Sequence, residues 1–396
     1  MTSWQRDELV EARANAILAG VHTVEAYAEH FEAQMRAGTV EAELRRHRAR
    51  KLLLAPLRVF RRKGVILLAL LLAPIGLLGY AAATTDVAPV MVSGANGVAA
   101  VNTASGRLVT MTPLPGAPSA VTPADGSVWV ADPAAGQVSR VYPGTGAEVA
   151  RIPVGGEPAA IASGGGSIWV AETAATAGAA VIRIDPATDR VIQRIALPWA
   201  HPGAIAVGAG QLWVADPAAR QLAEIDPATG SLQRTLRVDL QPSAIIVAGQ
   251  VIWVAGYDTA TVEKLAPASG RVLARVRVGG GPAALAVGAG SLWVASSADA
   301  IVSRIDLATS AVTATIRVGL SPAALVAGLG SVWVADQGSG TISRIDPRTD
   351  QVTATVNLMG APTELAITGS SLWTGIRRSG VTTASARPSA PPAARP

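Results

Sequence analysis

Seven X-Pro pairs recur in this 396-residue chain, and the residue before the proline changes from copy to copy: Ala117, Glu157, His201, Gln241, Gly281, Ser321 and Ala361. Three consecutive copies thus offer a carboxylate, an imidazole and a carboxamide, a set suited to holding a polar small molecule. A second series follows the phrase Trp-Val-Ala: Asp132, Glu172, Asp216, Gly256, Ser296 and Asp336, with Trp373-Thr374-Gly375 in the last copy. Its carboxylates are oxygen ligands of the kind Mg²⁺ or Ca²⁺ takes. Trp199 lies two residues before His201, where an indole can wall a ligand by stacking. The candidate ligand-binding set is therefore Glu157, Glu172, Trp199, His201 and Gln241. The competing reading makes the aspartates turn caps, His201 a solvated loop residue and Trp199 a cover for a sheet edge.

Catalysis demands converging acids and bases, and the region after residue 83 offers one histidine, His201, two tyrosines, Tyr142 and Tyr257, and scattered carboxylates. Without cysteine the chain has no disulfide, haem attachment or thiolate metal site. No phosphate loop, zinc motif or nucleophile elbow is present, so binding without turnover is the expectation and no cofactor is required.

The elements that must carry these residues are legible from a tryptophan period. Trp129, Trp169, Trp213, Trp253, Trp293, Trp333 and Trp373 are separated by 40 residues in every interval but one, which is 44. Each interval holds four short runs rich in Val, Ile and Thr, bounded by Gly, Pro, Asp or Ser, which read as strands. The third and fourth runs are joined by Asp-Pro-Ala-Thr-Gly at 226 to 230 and Asp-Pro-Arg-Thr-Asp at 346 to 350, a hairpin signature. Leu292 and Val294 alternate with Trp293 and Ala295, so both faces of the small sheet are apolar and both need a neighbour. The fold class expected is all-β, a seven-bladed β-propeller of four-stranded blades.

The ends of the repeat region complement each other. Strands at 89 to 94, 97 to 102 and 107 to 112 precede the first complete unit, and 363 to 367 with 371 to 373 follow the last. Six intact units and one blade pooled from both ends close the ring, with 89 to 94 and 371 to 376 competing for one place. The single long interval places its insertions at 172 to 180 and beside Trp199 and His201, on the face that carries the channel mouth.

The phrases Ser-Leu-Trp-Val-Ala-(Asp/Ser), Ile-Asp-Pro-Ala-Thr-Gly and Gly-x-x-Pro-x-Ala-Leu-Ala-Val resemble the YVTN-type β-propeller repeat and, nearly as well, the virginiamycin B (streptogramin) lyase-like propellers, over about residues 86 to 384. The first resemblance implies a binding or scaffolding module. The second implies a metal-assisted elimination that opens a cyclic depsipeptide with a His and a Glu at the mouth; this chain departs from it in having His201 early in the ring and no second histidine there.

Residues 64 to 83 form an uncharged apolar run of 20, long enough to span about 30 Å of hydrocarbon as a helix. Residues 41 to 63 before it carry nine Lys or Arg against Glu41 and Glu43, a net of +7, which by the positive-inside rule puts them in the cytoplasm and the propeller outside. The expectation is a single-pass membrane protein: a cytoplasmic helical segment at 1 to 63, a transmembrane helix at 64 to 83, the propeller at 84 to 384 and a disordered Pro- and Ala-rich tail at 385 to 396. A helical stripe from Val10 to Met35 suits a helix partner or self-association. From residue 64 onward 21 basic residues face 20 acidic ones, so the ring lacks the basic excess that nucleic acid requires.

Overall fold

A computed structural model describes residues 96–173, 178–358 and 360–378, all within the unit Asp86–Pro396. The expected segments at 1–63 and 64–83, the strand at 89–94 and the tail at 385–396 lie outside the described residues. Among those that are described, no helix is long and apolar enough to cross a membrane.

Among the described residues twenty-eight strands, β1 to β28 in chain order, form seven four-stranded antiparallel sheets. One blade shows why. In the unit of β19 (Pro282–Gly288), β20 (Ser291–Ser296), β21 (Ile301–Asp306) and β22 (Val312–Arg317), Ala289 and Gly290 turn the first hairpin with φ of 50° and 72°. Positive φ at both central positions is the type I′ geometry, whose twist matches the flanking strands. At the second hairpin the side chain of the turn aspartate accepts bonds from within the turn: two blades earlier, Asp226 Oδ1 takes the Ala228 N–H at 2.8 Å and Oδ2 the Thr229 hydroxyl at 3.0 Å. The left-handed residue that completes this turn is Gly230 (φ 70°) there and Asp350 (φ 56°) in a later copy.

Packing follows the alternation along β20. Leu292 and Val294 join a cluster with Trp253 and Val262 of the preceding blade, whereas Trp293 and Ala295 pack with Leu325, Val332, Val334 and Ile345 of the next. All seven repeat tryptophans are at most 1% exposed, which is the signature of a wedge between blades.

The ring closes through one composite sheet in the order β2 (Leu108–Pro113), β1 (Gly97–Asn102), β28 (Ser371–Arg377), β27 (Ala361–Thr368). Gly97 pairs with Ile376 and Asn102 with Ser371, so the contested second place belongs to the C-terminal strand. The two innermost strands of this blade come from one end of the repeat region and the two outer strands from the other.

Candidate functional site

The mouth face is built where each innermost strand begins, because the loop leading into it lies beside the loop that follows the second strand. The backbone bonds Tyr257 N–H to Gln241 O at 3.0 Å and Ser297 N–H to Gly281 O at 2.9 Å join the two loops in adjacent copies. Buried acids reinforce the join. Asp132 Oδ2 accepts the Gly116 N–H at 2.8 Å, and Asp216 Oδ2 accepts the His201 N–H at 3.2 Å while its other oxygen takes the Ala219 N–H at 2.8 Å.

The sequence-derived candidates fall into two groups. Glu157, which opens β7 (Glu157–Gly164), and His201 are exposed, and Gln241 is half-buried, all before or at the start of neighbouring innermost strands. Gln241 is fixed through its backbone N–H, which donates to Asp258 Oδ1 at 2.8 Å. Trp199 is half-buried against the cluster of Trp169, Leu212 and Val214, and its indole N–H has no partner. Glu172 differs from the expectation of a loop acid open to a ligand. Its side chain is fully buried, ion-paired with Arg194, and reached by the N–H of Gly156 in the loop carrying Glu157. Burial pushes its carboxyl up and Arg194 opposes this. The second-strand acids thus support the loops from below, and the variable residues before proline stand on top of them.

This donor set does not fit a divalent cation at the mouth. The oxygens of Asp132, Asp216 and Asp258 accept backbone N–H groups, Glu172 is held by Arg194, and among the described residues no three His, Asp or Glu side chains converge.

Two features escaped the sequence reading. The first is a cation over the repeat tryptophans: Arg140, Arg183, Lys264, Arg304 and Arg344 lie 5.0 to 5.2 Å from the ring centroids of Trp129, Trp169, Trp253, Trp293 and Trp333. The second is a cavity of about 240 Å³ in the central channel, lined by the first residues of the innermost strands, among them Glu364. Aligning the seven copies on their prolines gives the signal, since Glu364 falls where the other six have alanine.

No family model matches the sequence, and no curated protein matches it. Solved structures do resemble it in fold. Virginiamycin B lyase from Staphylococcus aureus superposes with a TM-score of 0.58 at 16% identity, covering 71% of this chain and 99% of that one. A catalytically inactive form of that enzyme with quinupristin gives a TM-score of 0.57 at 17% identity over 66% of this chain and 95% of that one. The Pan2 WD40 domain of Neurospora crassa gives 0.56 at 15% identity over 72% and 97%. A lyase and a WD40 domain superpose almost equally well, so what this chain shares with both is the seven-bladed propeller fold.

Proposed function

We propose that this chain is a membrane-anchored, extracytoplasmic propeller that binds a small-molecule, cell-wall or protein ligand through its mouth face. The observation that carries this reading is the division of labour at the mouth. The acids below the loops are bonded internally, while Glu157 and His201 are exposed at the start of neighbouring blades beside a half-buried Trp199. Side chains raised on rigid supports and open to solvent are what a recognition surface needs. The uncharged run at 64 to 83 and its basic flank support the anchored topology. Replacing Glu157 and His201 together by alanine should abolish capture of the ligand while leaving the melting temperature within a degree or two. Unchanged capture by the double variant would place the recognition surface elsewhere.

A second reading, a streptogramin-lyase-like enzyme, is favoured by the fold likeness to virginiamycin B lyase. The mouth donors do not assemble a metal site, which weighs against it. Incubation of the protein with a streptogramin B antibiotic and Mg²⁺ separates the two: ring opening supports the enzyme, and an intact antibiotic supports the binding module.

A further inference from the structure

Each innermost strand is the edge of its sheet, so one row of its backbone polar groups faces the channel. Two places after the proline, the first and second strands meet in an alanine pair in six blades: Ala120 with Ala131, Ala160 with Ala171, Ala204 with Ala215, Ala244 with Ala255, Ala284 with Ala295 and Ala324 with Ala335. In the closing blade the flanking pair Leu365 with Thr374 puts Glu364 and Gly375 at this place. A Cβ at Gly375 would stand 2.4 Å from Thr363 Oγ1 and 2.9 Å from Pro118, so the glycine gives Thr363 and Pro118 the room to pack there. Five of these first-strand alanines, Ala120, Ala160, Ala204, Ala244 and Ala284, line the chamber with Glu364, while Ala324 packs between blades, so small side chains and one long acid leave an asymmetric chamber rather than a filled plug.

The chamber is rich in acceptors. Ser119 donates its hydroxyl proton to Pro158 O at 2.8 Å and Ser243 donates to Pro282 O, which leaves the lone pairs of both oxygens as acceptors. Glu364 Oε1 receives only the long Leu365 N–H contact at 3.4 Å, and no basic side chain lines the cavity. The remaining walls are alanines with Ile161, Ile205, Ile245, Leu285 and Leu325. At the far end of the strands the blades converge, since a Cβ at Gly208 would lie 2.5 Å from Val247 and one at Gly288 2.4 Å from Ala327. The chamber therefore belongs to the mouth end of the channel.

We propose that this chamber is a binding site for a small organic cation of the primary-amine class, with Glu364 as its counter-ion. An ammonium supplies three donors and a positive charge to a wall that offers acceptors and one acid. Its carbon chain takes the alanine and isoleucine surface. A volume of 240 Å³ holds roughly eight water-sized groups at about 30 Å³ each, the scale of a short alkylamine. A divalent cation would require several oxygen ligands around one point, and a single carboxylate does not provide them.

The chamber raises the cost of charge on Glu364: removal from bulk water pushes its carboxyl up to about 7, opposed only by the Leu365 N–H. The residue still keeps part of its surface open to the cavity, so a ligand can reach it. The elements packed on β27 bring other ionisable groups, none of which lines the chamber: Asp336 of β24 (Ser331–Asp336), Asp132 of β4 (Ser127–Asp132), Arg344 and Asp346 of β25 (Thr341–Asp346), and Arg377 of β28. Asp132 and Asp336 accept bonds from Gly116 and Ser343, Arg344 donates to Ser331, and Asp346 accepts from Arg348.

The test titrates the purified full-length chain with n-butylammonium chloride, and with n-butanol as its uncharged counterpart, by calorimetry at pH 8 and pH 5. Butylammonium, like a lysine side chain, is charged at both values. Saturable binding is expected at pH 8, weaker by more than tenfold at pH 5, because a carboxyl titrating near 7 is then protonated and must release its proton. Butanol should bind at least tenfold more weakly at pH 8. Glu364→Ala, which restores the residue of the other six blades and so should fold, and Glu364→Gln should both lose the amine. Absence of binding at pH 8, equal affinity at the two pH values, or retention of the amine by either variant would overturn the proposal. The Glu157 and His201 double variant should bind butylammonium normally, so the chamber and the mouth patch stand or fall separately.

Discussion

Arg304 stacks on Trp293, 5.1 Å from its ring centroid, and its guanidinium reaches past the indole to Asp350 in the next blade at 2.9 Å. The same group donates to Ser291 of its own blade at 2.9 Å and to Pro347 O of the next at 2.7 Å. One side chain therefore covers the buried wedge and ties two blades together. In the blade of Trp213 a glutamate, Glu224, stands opposite the tryptophan, and Arg234 pairs with it and bonds Pro267 O and Ala268 O of the neighbouring turn instead. Arg304→Met should lower stability by about 1 to 3 kcal/mol in a denaturant titration. A cycle with Asp350→Ala should show a coupling of about 0.5 to 1.5 kcal/mol, and strict additivity would mean the contact across blades contributes nothing.

Trp293→Ala should cost about 3 to 5 kcal/mol, since the side chain is wholly enclosed by two blades. Trp199→Ala should cost less, about 1 to 2 kcal/mol, because only part of that ring is covered. Equal losses in denaturant midpoint would make Trp199 a core residue and remove it from the ligand surface.

The period of the tryptophans, the Asp-Pro turns and the apolar alternation carried the blade count and strand order, because each is a local pattern repeated seven times. The closing strand was not legible locally: 89 to 94 and 371 to 376 are both short apolar runs, and only the pairing of Ser371–Arg377 with Gly97–Asn102 decides between them. At the mouth, the acids after Trp-Val-Ala read as exposed loop residues, whereas Asp132, Glu172, Asp216 and Asp336 are buried under the loops they support. A sequence shows which residues neighbour a turn but not which backbone N–H groups the folded loop turns toward them. Glu364 was hidden by the opposite error, in which a phrase repeated as framework conceals one substituted position.

If the run at 64 to 83 anchors the chain, protease added to spheroplasts should digest the propeller and leave a fragment of about the first 60 residues protected. Full protection of the propeller, or its appearance as a soluble form without the N-terminal segment, would overturn the topology.

Glu172, Asp336 and Glu364, all raised by burial, make stability depend on pH in one direction, and the last two carry the largest shifts. Burial, opposed by hydrogen bonds from Ser343 and Thr341, raises Asp336 to about 6, and desolvation in the channel raises Glu364 to about 7. Both bind protons more tightly folded than unfolded, so their stabilisation is complete below their ordinary values of 3.8 and 4.5 and is lost as pH rises through about 6 and 7. Asp185, Asp226 and Asp306 act oppositely, since backbone N–H bonds in their turns hold them below the usual aspartate range. Their contribution fades only as pH falls below 3.8, outside this window. The melting temperature should therefore be higher at pH 5 than at pH 8. Glu364→Ala should raise the pH 8 value, by about 1 to 3 kcal/mol in equilibrium stability, and change the pH 5 value little. A ring equally stable at both pH values, or a Glu364→Ala variant destabilised at pH 8, would mean that the channel carboxyl ionises as easily in the folded protein as in water.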